Sequence, residues 1–329
     1  MASATLLLPA GARLKGDLPK PLARAFGQAD RLPLRDAGNR AQLMRQFELL
    51  PGGWPMAAIT RQADVADAAP SAWLRADPAW VRAEMNGARL FACGDGLQPG
   101  HDDVDALLPD LQPLFGDAGF ALDAPVPSRW YVRLPRHSPL PTFLEPEDAL
   151  GTELSDYLIP VDDGDASVTR RWRALLNEVQ VVLHNHPHNG RRVAAGQPPI
   201  NSLWFWGAGV LPDRITTPYT AVQTTDDDLR ALSTVAGSGP VDLPKHWSLL
   251  QGDQLIDLRH ARDLESLSRD WLLPAIRAVS RRQLARLSLD LADGNRFEFK
   301  SPHRWRFWRQ SVVRLDAPSS GARPQRSQA

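Results

Sequence analysis

The spacing of prolines and glycines between His184 and Gly209 limits this chain more than any other feature. The stretch reads His-Asn-His-Pro-His-Asn-Gly-Arg-Arg-Val-Ala-Ala-Gly-Gln-Pro-Pro-Ile-Asn-Ser-Leu-Trp-Phe-Trp-Gly-Ala-Gly. Before it, Trp172, Leu175, Leu176, Val179, Val182 and Leu183 recur at helical spacing, so residues 170–183 are predicted as an amphipathic helix capped by Thr169 or Ser167. That helix must stop before Pro187, because a residue preceding proline avoids the α region. Pro198 and Pro199 exclude a helix further on, and Leu203 to Trp206 reads as a short buried strand closed by Gly207 and Gly209. The polar residues in between are expected on a loop, where sites are commonly built. Trp204 and Trp206 are expected as core residues on opposite sides of the strand, not as ligand-stacking groups.

The remaining pattern is α/β. Residues 5–8, 88–93, 130–134 and 254–258 read as strands. Residues 39–50, 102–115, 226–236 and 263–280 read as helices, with Pro109 and Pro113 expected to kink or shorten the second and Pro274 to bend the last. Asp293-Gly294 is a hairpin turn between strands 286–291 and 296–300, and residues 304–309 are a possible third strand. Residues 10–35 read as irregular and 52–70 offer no clear element. Residues 316–329 carry almost no apolar side chains and are expected to be disordered.

Lysine plus arginine and aspartate plus glutamate both number 38, so no global field favours nucleic acid or a membrane. Cys93 is the only cysteine, which excludes an intrachain disulfide and fits a reducing, cytoplasmic setting. The apolar run Leu6 to Leu8 is too short for a signal peptide or a membrane helix.

The central stretch also carries a resemblance. His186-Pro187, Asn189, Arg192, Gly196, Pro199 and Leu203-Trp204-x-Trp206-Gly207-x-Gly209 are similar to a signature of archaeal-type cofactor-independent phosphoglycerate mutases, members of the alkaline phosphatase superfamily. The chain more closely resembles a bacterial group, the RpfE-type regulatory proteins. Residues 76–86 (Ala-Asp-Pro-Ala-Trp-Val-Arg-Ala-Glu-Met-Asn) and 129–134 (Arg-Trp-Tyr-Val-Arg-Leu) resemble the mutases' inserted substrate domain. The resemblance implies a reduced alkaline-phosphatase-like sheet with an inserted smaller α/β domain. The expected boundaries are 1–70 and 201–315 for the phosphatase-like part, 71–200 for the insertion, and 316–329 for the tail.

A working mutase needs two metal ions, carboxylate and histidine ligands, and an oxygen nucleophile. The Asp-Gly turn expected after the first strand is missing from Leu6-Leu7-Leu8-Pro9-Ala10-Gly11, and Asp17, Asp30 and Asp36 lie off the family spacing. Thr60 is better explained as buried or capping than as a nucleophile. Asp257, His260 and Asp263 are the one remnant of the mutases' later metal motif, and Asp263 also suits a helix cap. His184, His186 and His188 have the spacing of a metal triplet on extended chain, against the plainer reading that they serve the loop's hydrogen bonds. The acidic residues Glu145, Glu147, Asp148, Asp162, Asp163 and Asp165 read as solvated surface. Arg192, at a signature position, and its neighbour Arg191 are expected to hold a phosphate or carboxylate, with His186, Asn189 and Asn201 beside them and Arg82 and Asn86 as weaker contacts. The resemblance thus implies a catalytically degenerate regulatory protein that senses a phosphorylated metabolite. One alternative is an active mutase or phosphatase using a divalent metal (manganese or zinc). The other is a nucleic-acid-binding regulator using Arg304, Trp305, Arg306, Trp308 and Arg309, which the balanced charge disfavours. No protein partner is indicated.

Overall fold

The computed structural model describes residues 2–84, 87–151, 153–155, 166–248, 251–312 and 315. The chain is α/β and forms two compact units, each about half its length: residues 1–48 with 215–329, and residues 49–214. The second unit is thus inserted into the first. The boundaries expected at 70 and 200 both fall inside the inserted unit. They do so because the helix Met56–Val65 and the strand Ser202–Val210 pack on that unit's sheet.

The first unit is built on a sheet of seven strands. Gly239–Val241, Ala221–Gln223, Gln254–Asp257, Ser3–Leu8 and Arg286–Leu291 follow one another in parallel, and Arg296–Lys300 and Asp30–Leu32 add antiparallel. Leu6, Leu7 and Leu8 are fully buried at its centre, as a parallel strand covered on both faces requires. The hairpin at Asp293-Gly294 forms as expected. The third strand beside it is Asp30–Leu32, not 304–309, which instead follows a 3₁₀ turn over Ser301–Trp305. Residues 10–35 are more regular than expected, since Lys20–Gln28 is a helix that buries Leu22 and Phe26. The predicted helix 39–50 stops at Met44, and Glu48–Leu50 is extended.

Proline explains the last helix. Leu264–Leu267 and Leu273–Ser280 are α-helical, and Ser268–Leu272 between them is a π segment. Pro274 has no N–H to give the carbonyl four residues back. That carbonyl, on Asp270, accepts the Trp247 N–H instead, at 2.9 Å.

The inserted unit has an antiparallel sheet in which the long strand Ala72–Glu84 pairs with Gly87–Cys93, Arg129–Leu134 and Ser202–Val210. Helices His101–Asp117 and Ala166–Asn185 pack on the sheet over Leu107, Leu111, Phe115, Trp172, Leu203 and Phe205. Pro109 and Pro113 do not shorten the first of these helices, which runs for 17 residues. Met56–Val65 also packs on the sheet, at the strands Ala72–Glu84 and Ser202–Val210. The sequence hides this helix because much of its buried side is Ala57, Ala58, Thr60 and Arg61, so no apolar stripe is seen. It meets a lattice of buried charge. Arg75 holds Asp77 with two hydrogen bonds of 2.8 Å, Trp206 Nε1 donates to Asp77 at 2.7 Å, and Arg129 and the Tyr131 hydroxyl donate to Asp64.

Strand periodicity corrects one expectation. Residues two apart share a face, so Trp204 and Trp206 point the same way, while Leu203 and Phe205 join the helix-covered core. Both tryptophans are buried, at 2% and 5% exposure. Gly207 does not end the strand. It sits at φ 66° in a bulge, where two partner residues (Trp73 and Arg75) span Trp206 to Gly209. A Cβ there would lie 3.1 Å from the Ala57 backbone nitrogen, so glycine lets the helix approach the strand.

Candidate functional site

The region after residue 185 is helical where a loop was expected. Asn185 ends one helix, and Pro187 opens the next, Pro187–Ala194. Proline is at home in a first helical turn, where its missing N–H leaves no bond unmade. His186 caps this helix by accepting the His188 N–H on Nδ1 at 3.2 Å.

The short helix brings together Asp103, His188, Arg191 and Arg192. Arg192 is 2% exposed. Its Nη1 lies 2.6 Å from Asp103 Oδ2, its Nε donates to Pro198 O at 2.9 Å, and its Nη2 donates to Leu97 O at 2.8 Å. Every nitrogen of the fork is used internally, so although Arg192 lines a cleft its guanidinium is already spent on protein acceptors. His188 Nε2 sits 2.5 Å from Asp103 Oδ1, and Arg191 Nη2 donates to its Nδ1 at 2.8 Å. Because Nδ1 accepts, the ring proton is assigned to Nε2, facing the carboxylate. Burial opposes ionisation of Asp103, but hydrogen bonds from the Gly100 N–H, His188 and Arg192 outweigh it and hold the carboxyl below its ordinary range.

The other expected contacts are also used internally. Asn189 donates to Leu183 O and Ile200 O and accepts the Ile200 N–H, pinning the turn between helix and strand. Asn201 accepts the Val81 N–H and donates to Val81 O, as a paired strand residue would. Arg82 is exposed, with its guanidinium 5.2 Å from the centre of the Phe91 ring. Asn86 lies outside the described residues, as do Asp162, Asp163 and Asp165.

An open cleft of about 790 Å³ lies beside this cluster, lined by Gln98, His101, Asp102, Asp105, His188, Arg191 and Gln197 among others. Among the described residues lining it there is no serine, threonine or cysteine, so the Asp103–His188 pair has no adjacent nucleophile to activate. Arg191, which is exposed, is the arginine available to a ligand there. Asp102 and Asp105 oppose an anion.

The metal sets expected from the sequence do not assemble. His184 is exposed, His186 Nε2 is 3.3 Å from Asp110, and His188 is committed to Asp103. Their separation follows from the helix start at Pro187, which replaces the extended chain that would align alternate residues. Asp257, His260 and Asp263 separate as well. Asp263 caps the helix Leu264–Leu267, accepting the N–H groups of Glu265 and Ser266, and His260 is exposed. Among the described residues no group of three or more His, Cys, Asp or Glu side chains converges to hold a metal.

Asp257 ends a strand at the carboxyl edge of the first unit's parallel sheet, where α/β proteins place their sites. Its carboxylate is already saturated. Arg259 Nε and Nη2 bind its two oxygens at 2.8 and 2.9 Å, and Thr224 Oγ1 donates at 2.9 Å. Arg259 also lies 3.5 Å from Asp226. Sequence reading missed Arg259, Thr224 and Asp226. The spacing Asp257-x-Arg259 on an extended strand end, which puts both side chains on one face, was the available signal. Desolvation would neutralise Asp257, but Arg259 overcomes it and keeps the carboxyl below its ordinary range. Burial pushes Asp226 up to about 6 against the pull of Arg259, helped by Asp228 and Asp257. Thr60 is 1% exposed and its hydroxyl donates to Met56 O at 2.8 Å within its own helix, so it is a buried structural threonine.

No family model matches the chain. Over 98 residues it is 34% identical to the probable 2,3-bisphosphoglycerate-independent phosphoglycerate mutase of Geobacter sulfurreducens, covering 30% of this chain and 23% of that one. Over 104 residues it is 33% identical to the 2,3-bisphosphoglycerate-independent phosphoglycerate mutase of Methanothrix thermoacetophila, covering 30% and 25%. The match therefore spans about a quarter of the length of these curated relatives. Among solved structures, the cofactor-independent phosphoglycerate mutase from Thermoplasma acidophilum superposes with a TM-score of 0.40 at 16% identity, over 91% of this chain and 90% of that one. That likeness is too loose to match strand with strand. The chain is phosphoglycerate-mutase-like in part of its sequence.

Proposed function

We propose that this chain is a non-catalytic, phosphoglycerate-mutase-like regulatory protein of the RpfE type, in which a phosphatase-type metal site has become a structural ion pair. The observation that carries this reading is the two-pronged grip of Arg259 on Asp257. The residues do not fit a two-metal centre. A guanidinium stands where a cation would bind, the neighbouring Asp226 is raised toward neutrality, Asp263 is spent on a helix cap, and His260 points to solvent.

The sensing role of this reading moves from Arg192 to Arg191 and the cleft beside it. Two assays test the proposal. In the first, purified protein supplied with manganese and 3-phosphoglycerate gives no turnover; turnover that disappears in Asp257→Asn would restore the active mutase reading. In the second, calorimetric titration with phosphoglycerates shows binding that weakens in Arg191→Gln. Absence of binding by the wild-type chain would remove the metabolite from the proposal.

A further inference from the structure

The strap that follows the last strand displays three aromatic side chains to solvent. Trp305, Phe307 and Trp308 are 64%, 75% and 69% exposed. Their display is fixed from beneath by the arginines between and beside them. Arg306 Nη1 donates to Gln28 O and Asp30 Oδ1, Arg309 Nη1 donates to Ala29 O, and the Val312 N–H donates to Ala23 O. Gly27 makes this contact possible, since a Cβ there would lie 2.1 Å from Gln310 O. Arg304 is tied to Ser280 O at 3.0 Å.

The surroundings say what this surface meets. The three segments joined here, 20–28, 277–286 and 300–312, carry no acid of their own, and the two acids at their ends are paired, Asp30 with Arg306 and Glu298 with Lys300 and Arg286. The segments carry exposed Lys20, Arg24, Arg281, Arg282 and Arg304. A chain with no net charge therefore has a basic, aromatic corner, and an anionic partner complements it.

Three occupants fit less well. Residues 316–329 follow the strap, but with almost no apolar side chains they cannot cover it. A second copy of the chain would set this basic corner against itself in a two-fold contact, so like charges around the rings oppose it. A single-stranded nucleic acid needs free ring faces and outward cations. Here Arg304 lies over Trp305 at 5.0 Å, Phe307 and Trp308 pack edge to face at 5.4 Å, and Arg306 and Arg309 are each tied through Nη1 to the chain beneath. An anionic bilayer needs none of these, because its interface accepts clustered tryptophan and phenylalanine without a matching pocket and its headgroups attract the flanking arginines.

We propose that the Trp305–Phe307–Trp308 cluster is a peripheral docking surface for an anionic membrane interface. No helix among the described residues is long and apolar enough to cross a membrane, so the contact is interfacial. The test is flotation of the full chain with vesicles of pure phosphatidylcholine and of an equimolar phosphatidylcholine–phosphatidylglycerol mixture. The wild-type chain is expected to float with the mixed vesicles and to be released by salt. Trp305→Ser/Phe307→Ser/Trp308→Ser should lower the vesicle partition constant at least tenfold, on the order of 1.4 kcal/mol, and Arg281→Gln/Arg282→Gln should lower it at low salt only. Both variants lie at the surface, and an unchanged melting temperature confirms that they fold. Failure to float, or equal flotation of the triple variant, overturns the proposal. So does a dimer, or binding of a single-stranded oligonucleotide, that the triple variant abolishes while vesicle binding is absent.

Discussion

Two of the carboxylate–arginine clusters, Asp257–Arg259 in the first unit and Asp103–Arg192 in the inserted one, reach similar chemistry by opposite routes. Asp257 and Arg259 are two residues apart and meet because they end one strand. Asp103 and Arg192 are 89 residues apart and meet because the first turn of one helix is folded against the last turn of another. The first closes locally and leaves Asp226 beside it raised and partly solvated. The second satisfies every nitrogen of its arginine and joins the segment after Cys93 to the one before Pro199. A local pair can neutralise a site without holding a fold, whereas a distant pair is part of the fold.

Breaking the distant pair should therefore cost most. Arg192→Ala strands Asp103 in a buried position and should destabilise the protein by about 3–5 kcal/mol in urea denaturation. Arg192→Lys keeps the charge but cannot reach three acceptors in a plane, so most of that loss should remain. An unchanged midpoint in either variant would make the two clusters equivalent and dissolve the contrast. Trp204→Ala, on the bulged strand that also carries Trp206, should cost roughly 3–5 kcal/mol through the cavity it leaves.

Breaking the local pair should cost less. Arg259→Ala is expected near the lower end of the buried-pair range, about 3 kcal/mol, because Asp257 keeps its bond from Thr224 and can take up a proton. Adding Asp257→Asn to that variant should recover part of the loss, and a double-mutant cycle measures the coupling.

The smallest effect is on pH. Asp226 is raised in the folded chain, so the folded state binds the proton more tightly than the unfolded one. Its contribution is fully present below the ordinary aspartate value near 3.8 and is lost as pH rises through about 6. Asp103 and Asp257 are lowered, and their contributions run the other way, present above the ordinary value and lost in acid. Asp226→Asn should flatten the fall between those two pH values, by less than about 1 kcal/mol after solvent screening. An identical pH–stability curve for wild type and variant would show that Asp226 is not crowded by its neighbours.

The elements with a clear period were legible in the sequence. Leu6 to Leu8, the Trp172–Leu183 stripe and the Asp293-Gly294 hairpin all form where expected. The failures have physical causes. Met56–Val65 escapes notice because it buries alanines, a threonine and an arginine, which leave no apolar stripe, against the next strand and the distant Ser202–Val210. Pro187 was read as an end of structure, and it is also a beginning. Arg192 and Arg191 look interchangeable in sequence, yet one is sealed inside and the other is exposed, a difference set by Asp103 and by two carbonyls with no local signal. Balanced charge concealed a corner where the exposed Lys20, Arg24, Arg281, Arg282 and Arg304 outnumber the nearby acids Asp30 and Glu298.

The central claim is that Arg259 has taken the place of a metal. Its most direct test is metal analysis of the purified chain followed by calorimetric titration of manganese into wild type and Arg259→Ala. The account predicts no bound metal and no saturable manganese uptake by wild type. Stoichiometric metal in wild type, lost on changing Asp257→Asn, would contradict it.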